Sequence, residues 1–216
     1  MAMQSEPVTS RWECVAASRP QDGRTASEDS FLVGRGAVPF AALCDGAGNA
    51  ERAAKRALGL FGKLIAEATP AQIAQPEAWV GWVRLLDSAL LGGGQSTFVA
   101  LALADGQIVG ACAGDSRAYH FTRDGAGSIL TESAPKFRLG SGRAQAFTFA
   151  APTRRGDLWL LLSDGAWTPL GLYGLRRAVA AAATRHPSEL PGAVLDAASR
   201  AGRTDDMTAV AARVVA

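Results

Sequence analysis

Histidine is scarce in this 216-residue sequence, which holds only two, His120 and His186. So few imidazoles argue against a histidine-rich zinc site and against a serine–histidine–aspartate relay. Cysteine is scarce too, because Cys14, Cys44 and Cys112 stand far apart in apolar segments. An odd number of cysteines in such settings predicts reduced thiols in the core and argues against a disulfide framework or a zinc site.

Concentrated charge and long apolar runs are also missing. The 22 basic and 20 acidic residues leave a net charge of +2, with no basic cluster to follow a nucleic acid backbone. No apolar run is long enough to span a membrane, and the first residues lack the features of a signal peptide. We therefore expect no nucleic acid or membrane partner and a soluble, cytoplasmic protein. With 48% hydrophobic and 19% charged residues, the chain is predicted to fold as one globular domain, residues 1–216.

The most informative pattern is an apolar segment that ends abruptly in Asp-Gly. It occurs twice, in residues 40–46 and again in residues 158–165. An apolar run of this length bounded by glycine is typical of a buried strand, so Asp45 and Asp164 should each lie at a strand end. A single Asp-Gly is often a plain turn, but two at the ends of rigid strands predict a shared site.

Hydrophobic periodicity predicts a mixture of strands and helices along the rest of the chain. Apolar alternation and turn signals favour strands at residues 12–18, 30–34, 97–104, 107–113 and 118–121, with Asp105-Gly106 as a hairpin turn, and a last strand at the C-terminus. A helical period favours helices at residues 49–68 (with Asn49 as N-cap), 77–91, 173–184 and 190–201. Residues 131–152 are polar and show no sustained period.

Acidic residues recur at the predicted strand ends. They are Asp45, Asp115, Asp164 and either Asp205 or Asp206, with Glu28 and Asp29 in an early loop. Converging carboxylates cannot all stay ionised without cations, and oxygen ligands alone favour Mg²⁺ or Mn²⁺. Two such ions sharing a carboxylate would activate a water and clamp a phosphoryl group. Arg24 could then hold the phosphate oxygens.

The order of these motifs is itself informative. It runs Arg24-x3-Glu28-Asp29, Asp45-Gly46-x-Gly48, Gly94 through Ser96-Thr97, Gly114-Asp115-Ser116-Arg117, Gly156-Asp157 leading to Ser163-Asp164-Gly165-x-Trp167, and Thr204-Asp205-Asp206-Met207-Thr208. In this order and over residues 24–208, the chain resembles the metal-dependent Ser/Thr protein phosphatases of type 2C.

The resemblance implies an α+β fold, a four-layer α-β-β-α sandwich of two mainly antiparallel sheets flanked by helices. It also implies two Mn²⁺ or Mg²⁺ ions and a third, weaker one. By position, the metal residues would be Asp45 as the bridge, the Gly46 carbonyl, Asp164, Asp205, Glu28 and Asp29 directly or through water, and Asp115 for the third ion. Arg24 falls at the phosphate-binding arginine, and Ser116-Arg117 should be structural.

Three positions depart from the family pattern. Ala47-Gly48-Asn49 stands where members often carry a histidine, so water bound to the ions would have to protonate the leaving group. Ser27 replaces a common asparagine. Little remains of the mobile flap that usually follows residues 131–133.

Three functions remain open on this reading. The first is hydrolysis of phosphoserine or phosphothreonine on a protein substrate, with a Ser/Thr kinase or its targets as partners. The second is a sensing or partner-binding module that has kept the fold and lost useful turnover, which the short flap favours and the intact acid set opposes. The third is a metal-dependent hydrolase of a small phosphorylated metabolite.

Overall fold

The structure is a computed structural model that describes residues 11–47, 51–104, 106–182, 186–202 and 205–215. Its strands in chain order are β1 (Arg11–Arg19), β2 (Ser30–Gly34), β3 (Phe40–Cys44), β4 (Gly46–Ala47), β5 (Gln95–Ser96), β6 (Phe98–Ala104), β7 (Gln107–Ala113), β8 (Arg117–Phe121), β9 (Gly127–Ile129), β10 (Phe147–Pro152), β11 (Leu158–Leu162) and β12 (Met207–Val215). Its helices are α1 (Glu51–Glu67), α2 (Pro70–Ile73), α3 (Pro76–Leu90), α4 (Asp164–Trp167), α5 (Gly171–Ala182) and α6 (Leu190–Arg200).

The strands form two five-stranded sheets that are antiparallel throughout. One sheet has the order β1-β12-β11-β8-β9, and the other has the order β10-β7-β6-β3-β2. A short ladder of β4 and β5 stands apart from both. Helices α1 and α3 pack on the second sheet, while α5 and α6 lie over the first. The predicted four-layer α-β-β-α sandwich is therefore confirmed.

Strand side chains alternate between two apolar layers, which explains why the central strands carry almost no polar residues. In β6, Phe98 and Ala100 face the helices, whereas Val99 and Leu101 face the other sheet. Because successive strand residues point to opposite faces, a strand buried on both sides must be apolar at every position. All seven residues of β6 are buried, which fits this rule.

The antiparallel register brings several strand termini to one end of the sandwich. Leu43 near the end of β3 pairs with Val99 near the start of β6, and Phe98 pairs with Ala113 at the end of β7. In the other sheet, Leu162 at the end of β11 lies between the start of β8 and the start of β12. The acidic residues next to these strand ends therefore lie at the same edge of the sandwich.

Most of the elements expected from the sequence are present, with a shift of a residue or two at their ends. The three cysteines are buried and free, and no helix in the described ranges is both long and apolar enough to cross a bilayer. The sequence analysis did not predict the short helices α2 and α4, the β4–β5 ladder or β10. Strand β10 lies inside the stretch of residues 131–152 that shows no hydrophobic period. The expected roles of Gly48, Asn49, Asp105 and Thr204 lie outside the described residues.

Candidate metal centre

Three aspartates from three strand ends meet at the shared edge. Asp45 follows β3, Asp115 lies between β7 and β8, and Asp164 follows β11. Each offers a carboxylate oxygen such that the three oxygens lie within 4.8 Å of one another. The sequence prediction that the two Asp-Gly strands share a site is therefore matched by the geometry, and Asp115 joins them.

The backbone of Asp45 is fixed by the short β5 segment. Its N–H donates to the Thr97 hydroxyl at 2.9 Å, and its carbonyl accepts from the Thr97 N–H at 2.9 Å and the Ser96 hydroxyl at 3.0 Å. The Thr97 and Ser116 hydroxyls are 2.7 Å apart, which ties this segment to the loop of Asp115. The structural role expected for Ser116 agrees with this contact.

Asp164 opens helix α4 rather than a turn, and Gly165 makes its placement possible. A Cβ atom at Gly165 would lie 2.0 Å from the Asp206 carbonyl oxygen. Only glycine allows so close an approach of two backbones. One turn later, the Trp167 indole N–H donates to the Asp115 carbonyl at 3.0 Å, so α4 holds a second acid of the site.

Asp29 is buried, with 7% exposure, and its charge acts on Asp45. Neither of its oxygens has a hydrogen bond of good geometry among the described residues, although the Ser163 and Thr208 hydroxyls lie near. Burial raises the pKa of Asp29 to about 7, and these hydroxyls lower it only in part. A buried carboxylate without such a partner is costly, and a cation is the usual compensation.

The electrostatics of the site favour a bound cation for the same reason. Burial, reinforced by Asp29 and Asp164, raises the pKa of Asp45 to about 9. Burial also raises the pKa of Asp164, with Asp115 and Asp205 adding to the shift. Like charges that raise one another's pKa in this way are stabilised in ionised form by a divalent ion.

The two adjacent acids before β12 have different surroundings. Asp206 is 4% exposed, and its carboxylate accepts the backbone N–H groups of Gln21 and Glu28, the latter at 2.6 Å. Asp205 is exposed, and its charge acts on Asp164. Asp206 is therefore occupied by backbone N–H groups. Asp205 accepts only the Asp206 N–H, at 2.8 Å, among the contacts of the described residues, so of the two acids it is the better candidate ligand.

The remaining predicted residues lie in the β1–β2 loop and in β4. Arg24 Nη1 is 3.1 Å from Glu28 Oε2 and 3.8 Å from Asp206 Oδ2. Glu28 is thus held by a guanidinium and is outside the group of three converging aspartates. Gly46 is buried and pairs with Ser96, so the Asp-Gly at this strand end continues into β4 and does not form a plain turn.

Arg138 is a site residue that the sequence analysis missed. Its guanidinium lies 3.3 Å from Asp115 Oδ2. Its positive charge offsets a small part of the rise in the pKa of Asp45. It comes from the aperiodic stretch between β9 and β10, where no local pattern marks one basic residue from another. Long-range contacts of this loop, among them the pairing of Leu139 with Ser96, bring it to the site.

The donor set suits a hard divalent ion. Every candidate ligand is a carboxylate or carbonyl oxygen, and such sets favour Mg²⁺ or Mn²⁺ over zinc. The residues that could hold ions are Asp45, Asp164, Asp115, Asp29, Asp205 and the Gly46 carbonyl. The buried, unpartnered Asp29 and the raised pKa values around it show that the residues present fit such an ion.

Fold and site together define the class of the protein, which is the type 2C phosphatase sandwich with an acidic centre at the sheet edge. Solved structures with this fold include the Mycobacterium tuberculosis Ser/Thr phosphatase PstP (TM-score 0.80, 22% identity, 95% of this chain and 99% of that chain). Stp1 of Staphylococcus aureus matches with a TM-score of 0.84 and 17% identity over 100% of both chains. The phosphatase domain of Bacillus subtilis SpoIIE matches with a TM-score of 0.78 and 19% identity, over 95% of this chain and 64% of that chain.

A family model for stage II sporulation protein E (SpoIIE) matches residues 40–215. The chain therefore belongs to this family, in agreement with the resemblance to type 2C phosphatases. A search of curated proteins found no match. The β1–β2 loop, with Arg24, Glu28 and Asp29, precedes the matched range.

Proposed function

We propose that this protein is a metal-dependent phosphatase that hydrolyses phosphoserine or phosphothreonine on a protein substrate. The observation that carries the proposal is the convergence of one carboxylate oxygen each of Asp45, Asp115 and Asp164 within 4.8 Å, together with the buried Asp29, whose charge acts on Asp45. A structural role alone does not explain this group, because its members repel one another and two are strongly desolvated.

The protein's own residues would hold two Mn²⁺ or Mg²⁺ ions. A PstP catalytic domain with the same fold was solved with two manganese ions, and the chain's oxygen ligands suit the same metals. By the family resemblance, Asp45 would contribute to the binding of both ions, and Asp164 and Asp205 would be further carboxylate ligands. When bound, the ions supply a nucleophile from water and neutralise charge on the phosphoryl group.

Arg24 is assigned to the phosphate. Its side chain is 41% exposed, and its ion pair with Glu28 of the same loop holds the guanidinium in place while leaving it accessible to a substrate. A guanidinium can hold two phosphate oxygens at once. No histidine stands at the site, and solvent is left as the proton source for the leaving alkoxide.

The substrate would be the product of a Ser/Thr kinase, whose targets are the expected partners. Such kinases draw on cytoplasmic ATP, so the proposal places the protein in the cytoplasm. Little of the flap between β9 and β10 is present, which leaves the rim of the site open to a phosphorylated segment of a folded protein.

Hydrolysis of para-nitrophenyl phosphate with and without Mn²⁺ tests the proposal, followed by a phosphothreonine peptide. We expect turnover of both that is abolished by EDTA and restored by Mn²⁺. Mn²⁺ binding without turnover of either compound would instead identify a sensing module. Turnover of small phosphate esters with none of the peptide would identify a metabolite hydrolase.

A further inference from the structure

Arg138 points at the acidic centre from the loop between β9 and β10. One of its terminal nitrogens lies 3.3 Å from Asp115 Oδ2 and 3.5 Å from Asp115 Oδ1. The two side chains are 30% and 28% exposed, so the pair is only partly open to solvent. Both oxygens of Asp115 are therefore engaged by a permanent cation that belongs to the chain.

The backbone beside Arg138 is bonded to the segment that positions Asp45. Leu139 is fully buried, its N–H donates to the Ser96 carbonyl at 2.8 Å, and its carbonyl accepts from the Ser96 N–H at 3.1 Å. Ser96 in turn donates its hydroxyl to the Asp45 carbonyl. This two-way pairing fixes the backbone next to Arg138 beside the segment that positions Asp45.

Asp87 of α3 fixes the loop from the other side. Its carboxylate is 7% exposed and accepts the backbone N–H groups of Gly140 at 2.7 Å, Gly142 at 3.1 Å and Ala144 at 3.2 Å. Gly140 has a φ of +84°, and a Cβ there would lie 2.3 Å from the Gly94 carbonyl oxygen. The backbone that carries Arg138 is thus held in place by the fold, which leaves its side chain within reach of Asp115.

We propose that Arg138 is a built-in cation that reserves Asp115, so that the site binds two divalent ions and not the third that the family resemblance predicts there. The inference rests on the proposed function. A guanidinium and a metal ion compete for the same oxygens, and the tethered group has the higher local concentration. It also repels a further dication at short range.

The number and affinity of bound Mn²⁺ ions test this inference without any activity assay. Free Mn²⁺ is measured by its electron paramagnetic resonance signal during titration of the native protein, Arg138→Met and Arg138→Lys. We expect two ions per chain for the native protein and three for Arg138→Met, whose side chain is uncharged and of similar length. Arg138→Lys keeps the charge and should stay at two.

Arg143→Met is the matched control, because Arg143 lies on the same loop with its guanidinium 4.2 Å from the Phe137 ring centre. It should bind two ions, and a third ion in this variant would overturn the inference by showing a general charge effect. Three ions in the native protein, or two of unchanged affinity in Arg138→Met, would also overturn it. Failure of every variant to bind Mn²⁺ would overturn the proposed function as well, whereas Mn²⁺-dependent turnover with an unchanged ion count would overturn this inference alone.

Discussion

The carboxylate of Asp206 accepts the backbone N–H of Glu28 at 2.6 Å, across 178 positions of sequence. This bond ties the entrance of β12 to the loop that carries Arg24, Glu28 and Asp29. Among the described residues, the neighbouring Asp205 makes no such hydrogen bond to that loop. It is exposed, and its charge acts on Asp164. Asp206 therefore has a structural role, whereas Asp205 is a candidate metal ligand.

The Asp205/Asp206 pair gives the first prediction. Asparagine is common at this position in type 2C phosphatases, so the resemblance alone predicts that Asp206→Asn keeps most activity. The two backbone N–H groups that the Asp206 carboxylate accepts predict in addition a loss of stability. Asparagine offers one acceptor oxygen, so it would turn its NH₂ group toward the N–H of Gln21 or Glu28. We expect Asp206→Asn to lower the free energy of unfolding by about 1–3 kcal/mol and to keep Mn²⁺ affinity.

Asp205→Asn should do the reverse, with weaker Mn²⁺ binding and nearly native stability. Urea unfolding in EDTA and Mn²⁺ titration of the two variants separate these effects. Loss of Mn²⁺ affinity in Asp206→Asn with none in Asp205→Asn would show that the ligand assignment at this strand is off by one.

Arg24 gives the second prediction. Arg24→Ala should lower kcat/KM for a phosphothreonine peptide by roughly ten- to a hundred-fold, because charge-assisted hydrogen bonds to phosphate are lost. Mn²⁺ affinity should not fall, since the guanidinium is assigned to phosphate. Arg35→Ala, an exposed arginine just after β2, is the control and should match the native kinetics. Unchanged kcat/KM in Arg24→Ala would return this arginine to an ordinary loop position.

The third prediction concerns the pH dependence of stability without metal. The pKa of Asp29 is raised to about 7 and that of Asp45 to about 9, both above the unfolded value of about 4. The folded protein thus holds protons that the unfolded chain releases. The stabilisation is complete below about pH 4 and is lost as the pH rises through about 7 and then 9.

In EDTA, the free energy of unfolding should therefore fall between about pH 5 and about pH 8, and saturating Mn²⁺ should remove most of this slope. Urea unfolding at both pH values measures it, with Asp45→Asn as the control that should reduce the slope to the contribution of Asp29. A stability in EDTA that rises over this range would contradict the assignment.

Gly165 gives the fourth prediction. Gly165→Ala would place a methyl group 2.0 Å from the Asp206 carbonyl oxygen, and backbone atoms can yield only by shifting α4. We expect a loss of about 1–3 kcal/mol in stability and a fall in Mn²⁺ affinity, because Asp164 moves with the helix. Gly192→Ala in α6 meets no atom within 4 Å and should be neutral or slightly stabilising. Equal melting temperatures for Gly165→Ala and the native protein would argue against the close approach.

The fold was largely predictable from the sequence because burial on both faces leaves a strong local signal. Strands such as β6 and β11 are apolar at every position, and α1 shows a clear helical period. The strand-end acids Asp45 and Asp164 were recognisable for the same reason, since each interrupts such a run.

Features that depend on long-range contacts could not be predicted from the sequence. Arg138 reaches Asp115 only because Leu139 pairs with Ser96 and because Asp87 gathers three N–H groups of the same loop. None of these partners is near in sequence, and the loop has no period. The anchoring of Glu28 by Asp206 is of the same kind.

If Asp45 acts through divalent ions, its loss must remove Mn²⁺ activation, and one titration measures this. Hydrolysis of a phosphothreonine peptide is followed against Mn²⁺ concentration for the native protein and Asp45→Asn, with melting of both in EDTA. We predict saturable Mn²⁺ activation of the native protein and a loss of roughly a hundred-fold or more in Asp45→Asn. The variant should melt in EDTA at or above the native temperature near pH 7, because asparagine does not have to take up a proton on folding as a carboxyl group with a pKa of about 9 does. Near-native turnover by a folded Asp45→Asn at saturating Mn²⁺ would contradict the account.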